Sequence, residues 1–266
     1  GDIVDGFGLH NDGKEDAPIT IRGVTSVKDG RIVRPRILFD PTNEHRITCL
    51  ADWYVFEGLE MVGAIGPRAH GGTAIHALGA NTVIRNCRFY RCNQGIYAKY
   101  DQAGKILVEF CEFDSIGASP MGPCVYLETP IPMMLATVQN NYFHDCAGGP
   151  FVVSSYPRNV IRNNWFENAY GFAVKIINED TGPDAETTPK SPLRPMHSDI
   201  IGNVFYQGTS PGSRYAPLQL GGAGETMTGT EGDFNIAHNL FLNTARNSAA
   251  ILVTGNVDHV RIYNNA

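Results

Sequence analysis

The chain has 266 residues and a formal net charge of −6 at neutral pH, and only 18% of its residues are charged. The acidic balance and the lack of a basic run argue against nucleic acid as a partner. No apolar stretch approaches about 18 residues, so no membrane-spanning helix is predicted. The 29 glycines and 16 prolines suit a β protein with many turns.

A repeated pattern follows the N-terminal segment GKEDAPITIRGV, which runs from Gly13 to Val24. In each copy an apolar residue stands five positions before an aromatic anchor, and a small or amide residue stands two positions before it. Phe56, Leu59 and Met61 form a degenerate first copy. The later copies are Ile84, Cys87 and Phe89; Val108, Cys111 and Phe113; Val138, Asn141 and Phe143; Ile161, Asn164 and Phe166; Ile200, Asn203 and Phe205; and Ile236, Asn239 and Phe241.

Repeats of this length indicate a solenoid, a propeller or another repeat array. Helical repeats are excluded because no window keeps apolar residues at helical spacing. Propeller blades need four strands in about 40–45 residues, and the shortest copies here are too short for that. Short segments such as TVIRNCRF and NVIRNNWF are rich in β-branched and aromatic residues, as strands are. Each copy is therefore predicted to be one coil of a parallel β-helix.

Stacking of equivalent coils explains why asparagine recurs beside buried strand residues. Strands of neighbouring coils lie about 4.8 Å apart, so equivalent side chains form columns. We call the column of amides a ladder. Inside a turn, each amide would hydrogen-bond to the next amide and to the turn backbone, so the buried polar groups would be satisfied. Asparagine also tolerates the left-handed backbone conformation that a sharp bend requires. The predicted ladder residues are Asn141, Asn164, Asn203, Asn239 and Asn265. The phenylalanine anchors would stack as a second column in the core.

Each coil has a further strand, such as GIYAKY, PCVYLET or GFAVKIINED. Alternation along these strands predicts that Ile96, Val125, Val152, Val174 and Leu218 point inward. The outward column is then His76, Tyr97, Tyr126, Val153, Lys175 and Gln219, with Lys99, Glu128 and Ser155 beside it. Tyrosine, lysine, histidine and glutamate on a flat face suit a sugar polymer, since aromatic faces stack on sugar rings and charges orient carboxylates. An ordinary solvated sheet face would carry the same residue types.

Two copies are lengthened by inserts, Asn178 to Asp199 and Gln207 to Asp233. Long loops on a regular scaffold often wall a functional cleft. Because the inserts belong to neighbouring coils, they are expected to project side by side. Flexible decoration, or a contact between copies in a homo-oligomer, is the alternative interpretation.

The repeat resembles the right-handed parallel β-helix superfamily, the pectin-lyase-like fold, from about Ile19 to Ala266. The segment Gly13 to Val24 is similar to the first coil of β-helix polysaccharide lyases of the alginate lyase and chondroitinase B type. The expected architecture is all-β, with residues 1–266 forming one right-handed solenoid domain with an asparagine ladder and two long insertions. We interpret the sequence as a fragment or mature form that begins and ends within coils.

This resemblance implies β-elimination on an acidic polysaccharide. That reaction needs a base for the proton beside the carboxylate, and a cation that stabilises the enolate. The candidate catalytic residues are Lys175, Tyr126, His197, Arg194 and Arg214. The candidate substrate-binding residues are His76, Tyr97, Lys99, Glu128, Arg158 and Tyr215. Ca²⁺ would need oxygen ligands, for which Glu128, Glu179 and Asp180 are candidates.

The chain departs from the alginate-lyase pattern at one important place. That family carries a catalytic lysine just before an NxIRNNxF copy, where this chain has Ser154 and Ser155, and Lys175 is one residue out of the register expected for the family's arginine. Two alternatives therefore remain: a glycoside hydrolase using Glu128 with Glu179 or Asp180, and a non-catalytic adhesin, sheath or tailspike-like surface protein. All of these functions imply an extracellular, periplasmic or cell-surface location.

Two further residue types have structural interpretations. Cys87 and Cys111 share one frame position in consecutive coils, so a disulfide is open to them on distance, although buried free thiols are the favoured interpretation. His144 and His238 lie inside the repeat frame and are interpreted as turn residues.

Overall fold

The computed structural model describes residues 7–24, 26–39, 47–65, 72–99, 104–117, 122–128, 135–146, 149–169, 171–177, 196–208, 216–221, 232–243, 249–254, 257 and 259–266. Across these ranges the chain forms three parallel sheets and one small antiparallel hairpin. Successive strands enter the three sheets in turn, so one strand from each sheet makes one coil. The prediction of an all-β parallel β-helix is confirmed.

Sheet one, in order along the sheet, consists of β1 (Phe7–Leu9), β6 (Ile47–Cys49), β9 (Thr73–Ala77), β12 (Gln94–Lys99), β15 (Val125–Glu128), β18 (Val152–Ser154), β21 (Val174–Ile176), β24 (Leu218–Leu220) and β27 (Ile251–Val253). Sheet two consists of β2 (Ile19–Arg22), β7 (Tyr54–Glu57), β10 (Thr82–Arg85), β13 (Lys105–Glu109), β16 (Leu135–Gln139), β19 (Arg158–Arg162), β22 (Met196–Ile201), β25 (Gly232–Ala237) and β28 (Val260–Tyr263).

Sheet three consists of β5 (Arg36–Leu38), β8 (Glu60–Val62), β11 (Arg88–Tyr90), β14 (Glu112–Asp114), β17 (Tyr142–His144), β20 (Trp165–Glu167), β23 (Val204–Tyr206) and β26 (Leu240–Leu242). The hairpin of β3 (Ser26–Lys28) and β4 (Arg31–Val33) is antiparallel and interrupts the first coil. Before Ile19, β1 already pairs in parallel with β6, from Phe7 opposite Ile47 to Leu9 opposite Cys49.

The phenylalanine anchors form the predicted column inside the solenoid. Phe89, Phe113 and Phe143 are fully buried and lie directly opposite one another on β11, β14 and β17. Their rings stack with centroids 4.8 and 4.6 Å apart and nearly parallel planes. The stacking continues through Phe166, Phe205 and Phe241. Offset aromatic stacking at this separation adds to the stability that burial supplies.

The asparagine ladder is also present, at the turn between sheet two and sheet three. The Asn164 amide donates to the Val138 carbonyl and to the Asn203 side chain, at 2.9 and 3.0 Å. Its oxygen accepts from the backbone N–H and the amide of Asn141, both at 3.0 Å. The same pattern continues through Asn239 to Asn265. The four hydrogen bonds of the Asn164 side chain explain why asparagine is stable in this buried position.

One detail of the ladder prediction was wrong. The residue just before each ladder asparagine has the left-handed backbone conformation, and the ladder asparagine itself does not. These left-handed residues include Asn140, Asn163, Gly202, His238 and Asn264. The turn therefore uses two residues with separate tasks: the first reverses the chain and the second points its amide inward. The interpretation of His238 as a turn residue is confirmed.

The six cysteines are all free and buried. Cys87 and Cys111 occupy the ladder position in the two coils before Asn141, and the Cys111 backbone N–H donates to the Asn141 side chain at 2.9 Å. Both thiols lie within sulfur hydrogen-bond distance of backbone carbonyls. The interpretation of these two residues as buried free thiols is confirmed.

Candidate functional site

The outward face of sheet one carries the predicted column in the predicted register. His76, Tyr97, Tyr126, Val153, Lys175 and Gln219 lie opposite one another on consecutive strands. Their inward neighbours in the same strands, from Ile96 to Leu218, are fully buried. Strict alternation thus places these six side chains on one face. We call this set the sheet-one row.

The first half of the sheet-one row is a stack of rings. His76 stacks on Tyr97 with centroids 4.8 Å apart, and Tyr97 stacks on Tyr126 with centroids 5.2 Å apart. Both faces of Tyr97 are thereby covered by neighbouring rings. The row consequently presents ring edges and polar tips to the outside, whereas the sequence interpretation relied on open aromatic faces for sugar stacking.

Glu128 lies beside this stack and is held by two partners. The Tyr97 hydroxyl donates to one carboxylate oxygen at 2.5 Å, and the Lys99 ammonium donates to the other at 2.7 Å. A carboxylate with these two donors is stabilised in its charged form. Both carboxylate oxygens of Glu128 therefore already have hydrogen-bond partners within the protein. This argues against Glu128 as one carboxylate of a hydrolytic pair and as a Ca²⁺ ligand.

The second half of the sheet-one row differs from the first. Val153 and Gln219 are only 7% and 5% exposed although they belong to the outward row, and Lys175 between them is half-buried. Among the described residues no carboxylate pairs with Lys175. The Gln219 amide nitrogen donates to the Thr254 hydroxyl at 3.1 Å. The Gln219 amide oxygen is buried and accepts no hydrogen bond from the part of the chain that the structure describes.

This arrangement is unusual because the other described lysines are satisfied by solvent or by a carboxylate. Lys99 is ion-paired, and Lys14, Lys28 and Lys105 are exposed. A half-buried cation without a counter-ion attracts an anion. A buried amide oxygen without a donor accepts a hydroxyl. Together Lys175 and Gln219 suit a ligand that carries a negative charge and a hydroxyl group.

Tyr126 and Lys175 do not lie on neighbouring strands. Val153 stands between them in the row, so they are separated by two strand spacings, about 10 Å. An extended ligand along the row would reach both side chains.

Arg158 and His197 belong to sheet two. They lie opposite each other on β19 and β22, and His197 is 3.4 Å from Asp199. Arg158 is exposed and follows sheet one by a short turn, residues 155–157. The structure thus brings these two predicted residues together, but on the sheet that follows the one carrying Lys175.

Ser154 and Ser155, at the place where the family pattern has lysine, have structural partners. The Ser154 hydroxyl donates to the Asn159 side chain at 2.6 Å, and Asn159 donates to Ser198 at 3.1 Å. The Ser155 hydroxyl donates to the Leu127 carbonyl at 3.3 Å. Both serines are buried, so they stabilise the corner between sheets one and two.

The remaining predicted residues lie outside the described residues. These are Arg194, Arg214 and Tyr215, and the candidate Ca²⁺ ligands Glu179 and Asp180. Most of both long inserts falls in the same ranges.

A second polar cluster, which the sequence interpretation missed, lies on the outward face of sheet three. Arg88 donates to Glu60 at 2.8 Å and to Asp114 at 2.6 Å, and lies 3.3 Å from Glu112. His144 lies 3.3 Å from Glu112. We call these five residues the sheet-three network. The alternation of charge at equivalent positions, arginine then glutamate and aspartate then histidine, is the sequence signal that could have revealed it.

The ligand atoms of Glu112, Asp114 and His144 lie within 4.8 Å of one another, close enough to hold a metal ion. Two observations argue against metal binding at this cluster. Arg88 already neutralises both carboxylates, and the hydrogen bond with Glu112 raises the pKa of His144 to about 9. A protonated imidazole has no lone pair for a metal. The cluster is therefore a network of ion pairs, and the interpretation of His144 as a turn residue was wrong because it lies in β17.

No helix in the described ranges is long and apolar enough to cross a membrane.

Two solved structures and one family model are similar to this chain. The chain is similar to an alginate lyase from Paenibacillus sp. str. FPU-7, with 14% identity and a TM-score of 0.49, over 98% of this chain and 89% of that chain. It is also similar to a variant of the PL6 family alginate lyase AlyGC, with 14% identity and a TM-score of 0.38, over 100% of this chain and 47% of that chain. No curated protein matches the sequence.

A family model described as the right handed beta helix region matches residues 54–188. Since this match spans just over half of the chain and the strands within it form the coils described above, the chain belongs to the right-handed β-helix family.

Proposed function

We propose that this protein is a lyase that cleaves an acidic polysaccharide by β-elimination, with the sugar chain lying along the sheet-one row. The observation that carries the proposal is the half-buried ammonium of Lys175 beside the Gln219 amide oxygen, neither of which has a partner among the residues that the structure describes. A uronic acid offers both groups that these side chains require, a carboxylate and hydroxyls. A neutral sugar would leave the cation without a counter-ion.

The row also has the extent that a polymer needs. Its six members occupy six consecutive strands, so they span five strand spacings, about 24 Å. Tyr97 and Tyr126 would contact the sugar on one side of Lys175, and Gln219 would contact it on the other. Phenol groups can exchange hydrogen bonds with sugar hydroxyls.

In the proposed reaction Lys175 first gives up its ammonium proton to solvent, and the neutral amine then removes the proton from the carbon that bears the uronate carboxylate. The electron pair of that C–H bond forms the new double bond as the glycosidic C–O bond breaks. The departing oxygen takes the bonding electrons and then a proton. The enolate-like transition state needs a cation at the carboxylate, a role we assign to Arg194 or Arg214 of the inserts. Tyr126 and His197 are the alternative bases.

A non-catalytic polysaccharide-binding protein is the second candidate. The covered faces of Tyr97 and the pairing of Glu128 with Tyr97 and Lys99 favour it, because half of the row is already satisfied internally. A glycoside hydrolase is less supported for the same reason, since Glu128 is committed to its neighbours. Either function is proposed for an extracellular, periplasmic or cell-surface protein.

The test is incubation with alginate, pectate and glycosaminoglycans, followed by the ultraviolet absorbance of unsaturated chain ends. Binding to each polymer is measured in parallel by calorimetry. Unsaturated product from at least one acidic polymer is the expected result. Binding without product would establish the non-catalytic function, and neither binding nor product across the panel would overturn the assignment of the row to acidic sugars.

A further inference from the structure

Cys124 and Cys146 lie at the two ends of a single coil. Cys124 directly precedes β15 of sheet one, and Cys146 follows β17 of sheet three by two residues. The stretch between them contributes one strand to each sheet. Their sulfur atoms are nevertheless 3.2 Å apart, and both residues are buried, with 1% and 5% exposure.

We propose that Cys124 and Cys146 form a disulfide under oxidising conditions and thereby close one coil of the solenoid into a covalent ring. A disulfide has a sulfur–sulfur bond of about 2.05 Å, so the two atoms need to approach by only about 1 Å. Proteins of oxidising compartments form such bonds, whereas those of the cytosol stay reduced. The proposal does not depend on the function assigned to the sheet-one row.

The geometry selects this pair over the other cysteines. The thiols of Cys87 and Cys111 are directed at backbone carbonyls, as is the Cys92 thiol, which lies 3.6 Å from the Tyr90 carbonyl. Cys146 also lies 3.2 Å from the His144 carbonyl, but its sulfur remains in contact with Cys124. The side chains of Cys87 and Cys111 also contact each other, so the preference for Cys124 and Cys146 depends on their short sulfur–sulfur distance of 3.2 Å, and peptide mapping has to distinguish the two pairs.

The reaction can proceed by thiol–disulfide exchange with a small-molecule disulfide such as oxidised glutathione. The thiolate of one cysteine attacks the glutathione disulfide, forms a mixed disulfide and releases one glutathione thiol. The second thiolate then attacks the protein sulfur of the mixed disulfide and releases the second glutathione thiol. Two protein thiols are oxidised, and one glutathione disulfide is reduced to two thiols.

Burial controls when this exchange takes place. Burial, with Cys146 alongside, raises the pKa of the Cys124 thiol well above its ordinary value. The thiolate is the reactive form, so the closed solenoid reacts slowly. Exchange is therefore expected during folding, before the coil closes, and the finished disulfide would be protected from reductants by the same burial.

The test refolds the reduced protein with a mixture of reduced and oxidised glutathione. Thiols are then titrated in denaturant, and peptides are mapped without reduction. The expected result is the loss of two of the six thiols and a peptide that joins Cys124 to Cys146. The oxidised protein should melt on the order of 5–10 °C above the same protein reduced with dithiothreitol, because the cross-link restricts the unfolded chain.

The controls are Cys124→Ala, Cys146→Ala and, as the matched variant, Cys92→Ala. The difference in Tm between oxidised and reduced forms should vanish in the first two variants and persist in the third. Peptide mapping of the wild-type protein decides the question even if a variant fails to fold. Six free thiols after refolding in the glutathione mixture, or a bridge that maps to other cysteines, would overturn the proposal.

Discussion

The outward faces of sheet one and sheet three both carry charged and aromatic residues, but among the described residues their charges are paired to different extents. On sheet three, Arg88 is surrounded by Glu60, Glu112 and Asp114, and His144 pairs with Glu112. On sheet one, Lys175 has no carboxylate partner among the described residues. A charged patch on a solenoid therefore indicates a binding site only where its charges are not already paired across neighbouring coils.

The largest expected effect concerns Lys175. Lys175→Met keeps the aliphatic stem but removes the ammonium, and should lower lyase activity on the order of 10²–10⁴-fold, the range for loss of a general base. Tm should change little. Lys105→Met is the matched control because Lys105 is an exposed lysine in a strand of sheet two. Equal activity of both variants would show that the unpaired lysine is not part of the site.

The second prediction concerns the asparagine ladder, which lies inside the solenoid and supports both outward faces. Asn164→Leu removes the acceptor of the Asn141 backbone N–H, and takes one hydrogen bond each from the Asn141 amide, the Val138 carbonyl and the Asn203 oxygen in a buried turn. It should lower the free energy of unfolding by about 1–3 kcal/mol, as measured by denaturant titration. Asn265→Leu, at a partly exposed end of the described ladder, should cost less because water can replace the lost partner.

If Asn164→Leu unfolds at the same denaturant concentration as the wild type, the ladder is not what holds the turn. Residual activity of this variant at a temperature where it stays folded should equal that of the wild type, since Asn164 lies at the turn between sheets two and three and not in the sheet-one row.

The sheet-three network should respond to mutation in the opposite way to Lys175. Arg88→Met leaves Asp114 without its cation and leaves Glu60 with Arg36 only, and the two carboxylate side chains are only 13% and 14% exposed. We expect a loss of about 1–2 kcal/mol of stability with unchanged activity. Arg85→Met is the control, because its partner Glu57 keeps Arg22 and the pair is more exposed, so the loss should be within about 1 kcal/mol. If Arg88→Met folds fully but loses activity, the sheet-three network takes part in function, and the distinction drawn between the two faces is wrong.

The fold was predictable from sequence because every coil places the same residue types at the same backbone positions. The phenylalanine and asparagine columns depend only on this repeat, so the spacing of Asn164 and Phe166 was enough to predict their stacking. Alternation in the strands of sheet one predicted the outward row in the same way. The hairpin Ser26–Lys28 and Arg31–Val33 was missed because it interrupts the first coil and belongs to no repeat.

The candidate site was less predictable, because side chains pair across coils. The commitment of Glu128 to Tyr97 and Lys99, and that of Glu112 to His144, depends on the reach of particular side chains between strands that are about 30 residues apart in sequence. The unsatisfied oxygen of Gln219 likewise follows from the position of Thr254 on one side of the amide only. A single sequence gives residue types and faces, but not which of them are already satisfied.

The smallest expected effect is the pH dependence of the sheet-three network. The hydrogen bond with Glu112 raises the pKa of His144 from an ordinary value of 6.5 to about 9, and the same bond lowers the pKa of Glu112. Because the pKa of His144 is raised in the folded state, its stabilisation is complete below about pH 6.5 and is lost as pH rises through about 9. Glu112 contributes in the opposite sense, since its stabilisation is lost as pH falls below its ordinary value of 4.5.

The difference in stability between the wild-type protein and His144→Gln should therefore be greatest between about pH 5 and 6.5, on the order of 1 kcal/mol after screening by solvent. It should shrink steadily up to about pH 9 and then remain constant. Denaturant titrations of both proteins at several pH values measure it, with Arg85→Met as a variant whose difference should not follow this profile. A difference that stays constant between pH 6.5 and 9 would show that the charged form of His144 is not stabilised in the folded protein, and would contradict the interpretation of the cluster as a network of ion pairs.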